Sequence, residues 1–194
     1  MDLKIEASKT ALVVIDLQRG IVGFPSAPHA SADVVARAAR IADAMRAAGG
    51  TVVLVHVTRS PDGKDGLKPI TDAVGPVGRV PTAPPPDWAE IVPELGPKAN
   101  DIVIAKHQWG AFYGTELDLQ LRRRGIDTII LCGISTNMGV ESTARDAFER
   151  GYQQIFVEDA MAARGTEEHQ ATVAATFPRI GRVRSTEEVL AALK

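Results

Sequence analysis

Apolar runs alternate with amphipathic segments along the chain, and this alternation constrains the fold more than any other feature. Several runs are almost continuously aliphatic and β-branched, which is typical of strands covered on both faces of a parallel sheet. The runs predicted as strands are 11–17, 51–57, 101–106, 127–134, 154–159 and 182–185. They predict one doubly wound α/β domain over residues 1–194, with ligands bound beyond the carboxyl ends of the strands.

Helical periodicity marks most of the segments between these runs. Residues 33–48 carry apolar side chains at intervals of three and four and end at a pair of glycines. The other predicted helices are 115–124, 139–150, 166–176 and 186–193.

The proline-rich stretch 59–100 interrupts the alternation and contains only one short helical candidate, residues 87–95. A loop of this length in a compact domain usually carries function or packs on a partner. We expect this stretch, with Trp88, to cover a pocket or to contact a neighbouring subunit. A plain surface excursion is the alternative.

The charge balance argues against several classes of partner. Lys and Arg number 22 against 24 Asp and Glu, a net charge of −2, which gives no electrostatic footprint for nucleic acid or an anionic membrane. The single Cys132 excludes an internal disulfide and fits a reducing compartment. Because the sequence has neither a signal pattern nor an apolar run of membrane length, we expect a soluble cytoplasmic protein.

Two charged residues end different strands of the predicted sheet. Asp16 follows the first strand and Lys106 the third, so their side chains are expected to meet at hydrogen-bond distance. Such a pair either holds Asp16 ionised or lets it pass a proton while Lys106 stabilises developing negative charge. By spacing alone, a turn-capping Asp and a Lys extended into water are the alternatives. The aromatic residues that follow either wall a pocket or belong to the core: Trp109, Phe112 and Tyr113.

Other kinds of site find little support in the sequence. The histidines His29, His56, His107 and His169 are scattered without metal-ligand spacing, so no metal is expected. The glycine signatures of dinucleotide sites, phosphate loops and nucleophile elbows are missing, so no cofactor is expected. Cys132 lies within an apolar run and is interpreted as a small buried hydrophobe.

Three motifs follow the first, third and fourth predicted strands. They are Asp16-Leu17-Gln18, Lys106 with AFYGT behind it, and GISTNMGVESTARDA. In this order they resemble the isochorismatase-like hydrolases, and the resemblance covers essentially the whole chain. It implies a six-stranded parallel sheet in a Rossmann-like order, a small-molecule substrate and a homodimer or homotetramer. It also implies a cis peptide bond between Ile134 and Ser135.

The chain departs from most members of this family at the nucleophile. Members that hydrolyse amides use an Asp-Lys-Cys triad, and Asp16 and Lys106 match its first two positions, but Gly139 occupies the third. A second branch, the isochorismatases proper, also has glycine there and hydrolyses a vinyl ether by adding water after an Asp donates a proton. The wording of residues 135–137, Ser-Thr-Asn, is nevertheless that of the amidases.

The resemblance therefore implies a metal-free hydrolase with Asp16 as general acid or base, Lys106 as its electrostatic partner and no cysteine nucleophile. Vinyl-ether hydrolysis is favoured, with backbone N–H groups around Met138 and Gly139 as an anion cradle. The alternative is a catalytically silent small-molecule-binding or assembly protein that lost the cysteine. The expected substrate-binding residues are Gln18, Trp109, Phe112, Tyr113, Ile134, Ser135, Thr136, Asn137 and Met138.

Overall fold

The computed structural model describes residues 3–72 and 84–193 as one α/β domain. The strands are β1 (Thr10–Ile15), β2 (Thr51–Val57), β3 (Ile102–Lys106), β4 (Thr128–Ile134), β5 (Gln153–Ala162) and β6 (Arg182–Arg184). The α-helices are α1 (Arg19–Val22), α2 (Ser31–Ala47), α3 (Leu117–Arg123), α4 (Glu141–Glu149), α5 (Thr166–Ala171), α6 (Phe177–Ile180) and α7 (Thr186–Ala192). A 3-10 turn (Ala7–Lys9) and two π-helical turns (Thr136–Val140 and Thr172–Thr176) complete the described elements.

All six strands are parallel and lie in the order β3-β2-β1-β4-β5-β6. The chain moves outward from β1 in one direction and then, from β4, in the other, which leaves a crevice between the carboxyl ends of β1 and β4. The predicted six-stranded doubly wound sheet is confirmed.

The sheet separates two apolar cores. Alternate residues of β1 point to opposite faces, so that Val13 packs on the side of α3 and α4, and Leu12 on the side of α2 and α7. Every residue of β1 is buried, as its continuous apolar run predicts for a central strand. Burying each Val, Leu or Ile side chain of this strand contributes about 1.5–3 kcal/mol.

Two local predictions differ from the structure. Residues 87–95 form turns rather than a helix, because the carbonyls of Trp88 and Glu90 accept hydrogen bonds from Gly20 and Arg19 across the chain. The predicted helix 139–150 begins earlier, as the π-helical turn Thr136–Val140, and continues into α4. None of the helices among the described residues is long and apolar enough to cross a membrane.

Candidate active site

A cavity of about 560 Å³ opens beyond the carboxyl ends of β1, β3 and β4. Its buried polar part is formed by Asp16 and Lys106, beside the backbone of Gly139. The apolar lining includes Ile21, Phe24, Val57, Leu67, Trp109, Ile134 and Met138. The cavity therefore lies where ligands bind in doubly wound sheets.

Asp16 and Lys106 form an ion pair in this cavity, as predicted. The Lys106 Nζ atom donates to Asp16 Oδ2 at 2.8 Å, and only 1% of Lys106 and 7% of Asp16 are exposed. The same Nζ atom donates to the carbonyls of Gln108 at 3.1 Å and Trp109 at 2.6 Å. Three acceptors match the three protons of an ammonium group, so the Lys106 side chain is held in a fixed position.

The backbone and the side chain of Asp16 are both unusual. Its φ is +54°, a left-handed conformation that is uncommon outside glycine, and its N–H donates to the Val55 carbonyl at 2.9 Å. Its Oδ1 atom is buried without a hydrogen-bond partner among the described residues. Burial raises the pKa of Asp16 above its ordinary value, against the opposing effect of Lys106 and a smaller one of His56. This carboxyl thus holds a proton more readily than an ordinary aspartate.

Two glycines, Gly133 at the end of β4 and Gly139 in the turn that follows, allow the chain to pass close to β1 and to the ion pair. At Gly133, φ is +121° and a Cβ would lie 2.0 Å from the Ile15 carbonyl oxygen, so only glycine fits where β4 passes β1. The peptide bond between Ile134 and Ser135 is cis, as predicted. At Gly139, a Cβ would lie 3.1 Å from Asp16 Oδ2 and 3.5 Å from Lys106 Nζ.

Gly139 itself is not among the glycines with positive φ, so its backbone conformation does not require glycine. A Cβ there would approach the Ile15 side chain to 2.9 Å, and glycine therefore provides space above the ion pair. The expected anion cradle is corrected in one respect. The Met138 N–H already donates to the Ser135 carbonyl at 3.2 Å and is not free for a ligand.

Four of the expected substrate-binding residues line the cavity: Trp109, Ile134, Ser135 and Met138. The five others lie elsewhere: Gln18, Phe112, Tyr113, Thr136 and Asn137.

Gln18 is fully buried, and its side chain forms hydrogen bonds to β2 and to the segment around Trp88. Its Nε2 atom donates to the carbonyls of Val57 and Trp88, and its Oε1 atom accepts from the Val57 N–H. Phe112 stacks on Tyr152 in the core, whereas Tyr113 is largely exposed to solvent. Phe112 therefore points into the core and Tyr113 into solvent. The sequence alone does not distinguish these two directions.

Thr136 and Asn137 lie in the turn behind the cavity wall. Thr136 is fully buried, and its Oγ1 atom lies 2.9 Å from Nδ1 of His169. The Oδ1 atom of Asn137 accepts a hydrogen bond from the Ser135 hydroxyl at 2.9 Å. Both residues thus shape the turn rather than the cavity surface.

Part of the proline-rich stretch lines the cavity, and its role as a cover stays a prediction. Arg59, Leu67, Pro69 and Thr71 are lining residues. Trp88 is buried instead against Gly20, outside the cavity lining. Residues 73–83 lie outside the described part of the chain.

Two arginines and a histidine also line the cavity. Arg59 and Arg164 line it from two loops, together with His107. The Nε atom of Arg59 is buried and has no hydrogen-bond partner among the described residues, and the Arg164 guanidinium lies 5.9 Å from the Phe24 ring centroid. Arg59 and His107 follow β2 and β3 closely, as expected for strand ends. Arg164 was missed because β5 continues to Ala162 rather than ending at residue 159.

Cys132, expected to be a buried hydrophobe, is fully buried in β4. Burial, with a contribution from Asp159, raises the pKa of its thiol to about 12. A thiol of this kind stays protonated and inert at neutral pH.

The sequence and the structure can be compared with known proteins. The Isochorismatase domain family matches residues 10–188. The chain belongs to the isochorismatase family. The uncharacterized isochorismatase family protein YwoC of Bacillus subtilis (strain 168) is 54% identical over 194 residues, which cover 99% of this chain and 98% of YwoC.

Solved structures of the isochorismatase family share the fold. A family member from Burkholderia thailandensis superposes with a TM-score of 0.90 at 45% identity, covering 100% of this chain and 99% of that one. A more distant relative, the ureidoacrylate amidohydrolase RutB of Azorhizobium caulinodans, is 32% identical over 187 residues, covering 85% of this chain and 81% of RutB. The chain is thus an isochorismatase-family hydrolase by descent.

Proposed function

We propose that this isochorismatase-family hydrolase cleaves a small metabolite by acid-catalysed addition of water, without a protein nucleophile. The observation that carries the proposal is the buried Asp16–Lys106 pair beside Gly139, where a side chain is absent. The residue that forms a covalent intermediate in the amidase pattern has no counterpart at this position, so the attacking group is water.

The favoured reaction is hydrolysis of a vinyl ether. Asp16 donates its proton to the terminal carbon of the enol ether, which leaves an oxocarbenium ion and an Asp16 carboxylate. Water adds to the cationic carbon, a proton returns to the carboxylate, and the resulting hemiketal separates into a carbonyl compound and an alcohol. Positioned general acids of this kind contribute roughly 10²–10⁴-fold to the rate.

Both members of the pair support this role. The pKa of Asp16 is raised by burial, which keeps a proton available at higher pH than in an ordinary aspartate. Once the proton has left, the Lys106 ammonium at 2.8 Å stabilises the carboxylate that remains. The pair therefore supplies a proton and accommodates the charge that its transfer creates.

The lining of the cavity favours an anionic substrate with an apolar body. Arg59 and Arg164 provide guanidinium groups, which match carboxylates in geometry, and the Arg59 Nε atom lacks a partner among the described residues. Phe24, Leu67 and Trp109 provide apolar contact area. A cavity of about 560 Å³ suits a single small metabolite.

Hydrolysis of an amide or ureido group is the second candidate. The similarity to the ureidoacrylate amidohydrolase and the Ser-Thr-Asn wording of residues 135–137 favour it. In this reaction Asp16 acts as a base that accepts a proton from the attacking water.

A hydrolysis screen separates these reactions. Vinyl ethers, esters, amides and ureido compounds, each with a carboxylate, are incubated with the wild-type protein, with Asp16→Asn and with the control Asp33→Asn, which changes an exposed aspartate of α2. We expect vinyl-ether cleavage that falls by at least about 100-fold in Asp16→Asn and is unchanged in the control. Equal turnover in Asp16→Asn contradicts the proposal. Ligand binding without turnover across the screen indicates the silent binding protein instead.

A further inference from the structure

Two histidines and a glutamate that are far apart in the sequence meet outside the cavity lining. His29 precedes α2, Glu158 belongs to β5 and His169 belongs to α5. The Nε2 atoms of His29 and His169 approach the same oxygen, Oε1 of Glu158, at 3.3 Å and 3.1 Å. The scattered histidines of the sequence therefore include two that converge on one carboxylate.

The spacing of these atoms fits a bound divalent metal ion. A tetrahedral ion at the usual 2.0–2.1 Å from nitrogen and oxygen ligands separates those ligands by roughly 3.3 Å. The two measured distances lie near this value, and the three ligand atoms lie within 4.8 Å of one another. Side-chain movements of up to about 1.5 Å would bring all three ligand atoms to this separation.

The donor set indicates which class of ion fits. Two imidazoles and one carboxylate are ligands for zinc and other first-row transition metals, whereas calcium and magnesium prefer oxygen donors alone. The cluster is also open on one side: His169 is almost fully buried, but the Glu158 and His29 side chains are 36% and 24% exposed. A water molecule can therefore complete the coordination.

A further contact orients the most buried ligand. The Nδ1 atom of His169 lies 2.9 Å from the hydroxyl of Thr136, which is fully buried. Histidines that bind metals through one ring nitrogen usually donate a hydrogen bond from the other, and a threonine hydroxyl accepts it. Thr136 is three residues before Gly139, so the cluster is connected to the turn that borders the cavity.

We propose that His29, Glu158 and His169 form a binding site for a divalent transition-metal ion of the zinc class. The ion would join the loop before α2 to β5 and α5, and through Thr136 it would fix the turn Thr136–Val140. Since none of the three ligands lines the cavity, this site is separate from the Asp16–Lys106 pair.

The competing explanation is a hydrogen-bond cluster without metal. In that arrangement each imidazole donates an Nε2–H to the Glu158 carboxylate, and the Thr136 hydroxyl donates to Nδ1 of His169. A metal instead occupies the Nε2 lone pairs and reverses the hydrogen bond between His169 and Thr136. The two explanations differ in zinc binding and in the proton position on His169.

The decisive experiment is calorimetric titration of the full chain with Zn²⁺ after treatment with a chelator. We expect one ion per chain in the wild type, and an affinity at least about 100-fold lower in His29→Ala and in Glu158→Gln. The matched control is His107→Ala, which removes a partly exposed histidine outside the cluster and should bind like the wild type. Circular dichroism verifies that each variant is folded.

Three results overturn the proposal. They are no zinc binding by the folded wild type, wild-type zinc affinity in His29→Ala and Glu158→Gln, or a loss of affinity in His107→Ala as large as in those two variants. A fourth comes from Mg²⁺ in tenfold excess, which should not displace Zn²⁺ and contradicts the assigned ion class if it does.

Two further measurements test the coordination directly. Co²⁺ bound at this site should give visible d–d absorption that disappears in Glu158→Gln, and nitrogen NMR should place the proton of His169 on Nδ1 only in the loaded protein. Thr136→Val preserves the shape of the side chain and should weaken Zn²⁺ binding by about 10–100-fold while leaving one site. Unchanged affinity in Thr136→Val, or an Nε2 proton that persists with Zn²⁺, contradicts the assigned coordination.

Discussion

Two aspartate ion pairs among the described residues, one partly buried and one buried, are built in opposite ways. Asp101 accepts two hydrogen bonds from the Arg46 guanidinium, at 3.2 Å and 2.7 Å, and a third from the Lys98 N–H at 2.8 Å. Asp16 accepts from Lys106 through one oxygen only, and its other oxygen has no partner among the described residues. Both carboxylate oxygens of Asp101 therefore have hydrogen-bond partners, whereas among the described residues only one oxygen of Asp16 has one.

The difference extends to the physical effects of each pair. The hydrogen bond from Arg46 to Asp101 raises the pKa of Arg46 and so stabilises the charged form of a guanidinium that is already always charged. At Asp16, burial outweighs the attraction of Lys106 and raises the pKa of the carboxyl. Unsatisfied polar atoms and left-handed backbone are costly, and they persist where they serve a function. We infer that the Arg46–Asp101 pair stabilises the fold and the Asp16–Lys106 pair serves catalysis.

The largest difference is expected on removing the cation of each pair. Lys106→Met leaves the Asp16 carboxyl buried without its partner and should lower activity by at least about 100-fold and stability by about 3 kcal/mol. Arg46→Met should lower stability by about 2 kcal/mol, since this guanidinium is partly exposed, and leave activity unchanged. Urea denaturation and the vinyl-ether assay measure both quantities. Equal activity in the two variants would remove the distinction.

Removing the aspartate of each pair should reverse the order of the stability losses, with the larger loss now at the Arg46–Asp101 pair. Asp101→Asn loses charged hydrogen bonds and should destabilise the protein by about 1–3 kcal/mol without loss of activity. Asp16→Asn leaves the Lys106 ammonium without a counter-ion, but it keeps an amide oxygen that can accept the Lys106 hydrogen bond and removes a carboxylate whose ionisation is opposed by burial. The loss of stability at pH 7 should therefore be smaller than in Asp101→Asn, while activity is lost. A large destabilisation by Asp16→Asn would show that this pair, too, is mainly structural.

The framework that positions both pairs was predictable from the sequence, because continuous β-branched runs and an amphipathic stripe leave few alternatives. The strand boundaries agree to within three residues, and the meeting of Asp16 with Lys106 follows from their positions at strand ends. The loops were not predictable in the same way. Arg164 reaches the cavity from a loop, and His29 meets Glu158 across 129 residues of sequence, so no periodicity relates them.

A third prediction places a side chain above the functional pair. Gly139→Cys should lower stability by about 1 kcal/mol, because its Cβ approaches the Ile15 side chain to 2.9 Å, and Gly139→Ala serves as the matched control for this packing cost. The new thiol lies beside the Lys106 ammonium, which favours the thiolate, so it should react rapidly with iodoacetamide at neutral pH. In the wild type, buried Cys132 should not react. A folded variant whose thiol reacts no faster than a free cysteine would show that the pair does not activate a neighbouring group.

The smallest effect, and the most specific, concerns the pH dependence of stability. A carboxyl whose pKa is raised on folding contributes stability that is fully present below its unfolded pKa, near 3.8, and is lost as the pH rises through the folded pKa. The free energy of unfolding of the wild type minus that of Asp16→Asn should therefore fall with increasing pH above 3.8 and then level off. Lys106→Met lacks the main group that lowers the pKa of Asp16. When the same difference is measured with Lys106→Met present in both proteins, its fall should therefore extend to higher pH. Urea denaturation at a series of pH values measures this difference. A difference that increases with pH would mean that Lys106 outweighs burial and that the pKa of Asp16 is lowered. Asp16 would then stay ionised near neutral pH, unable to donate a proton, and only its role as a base would be left.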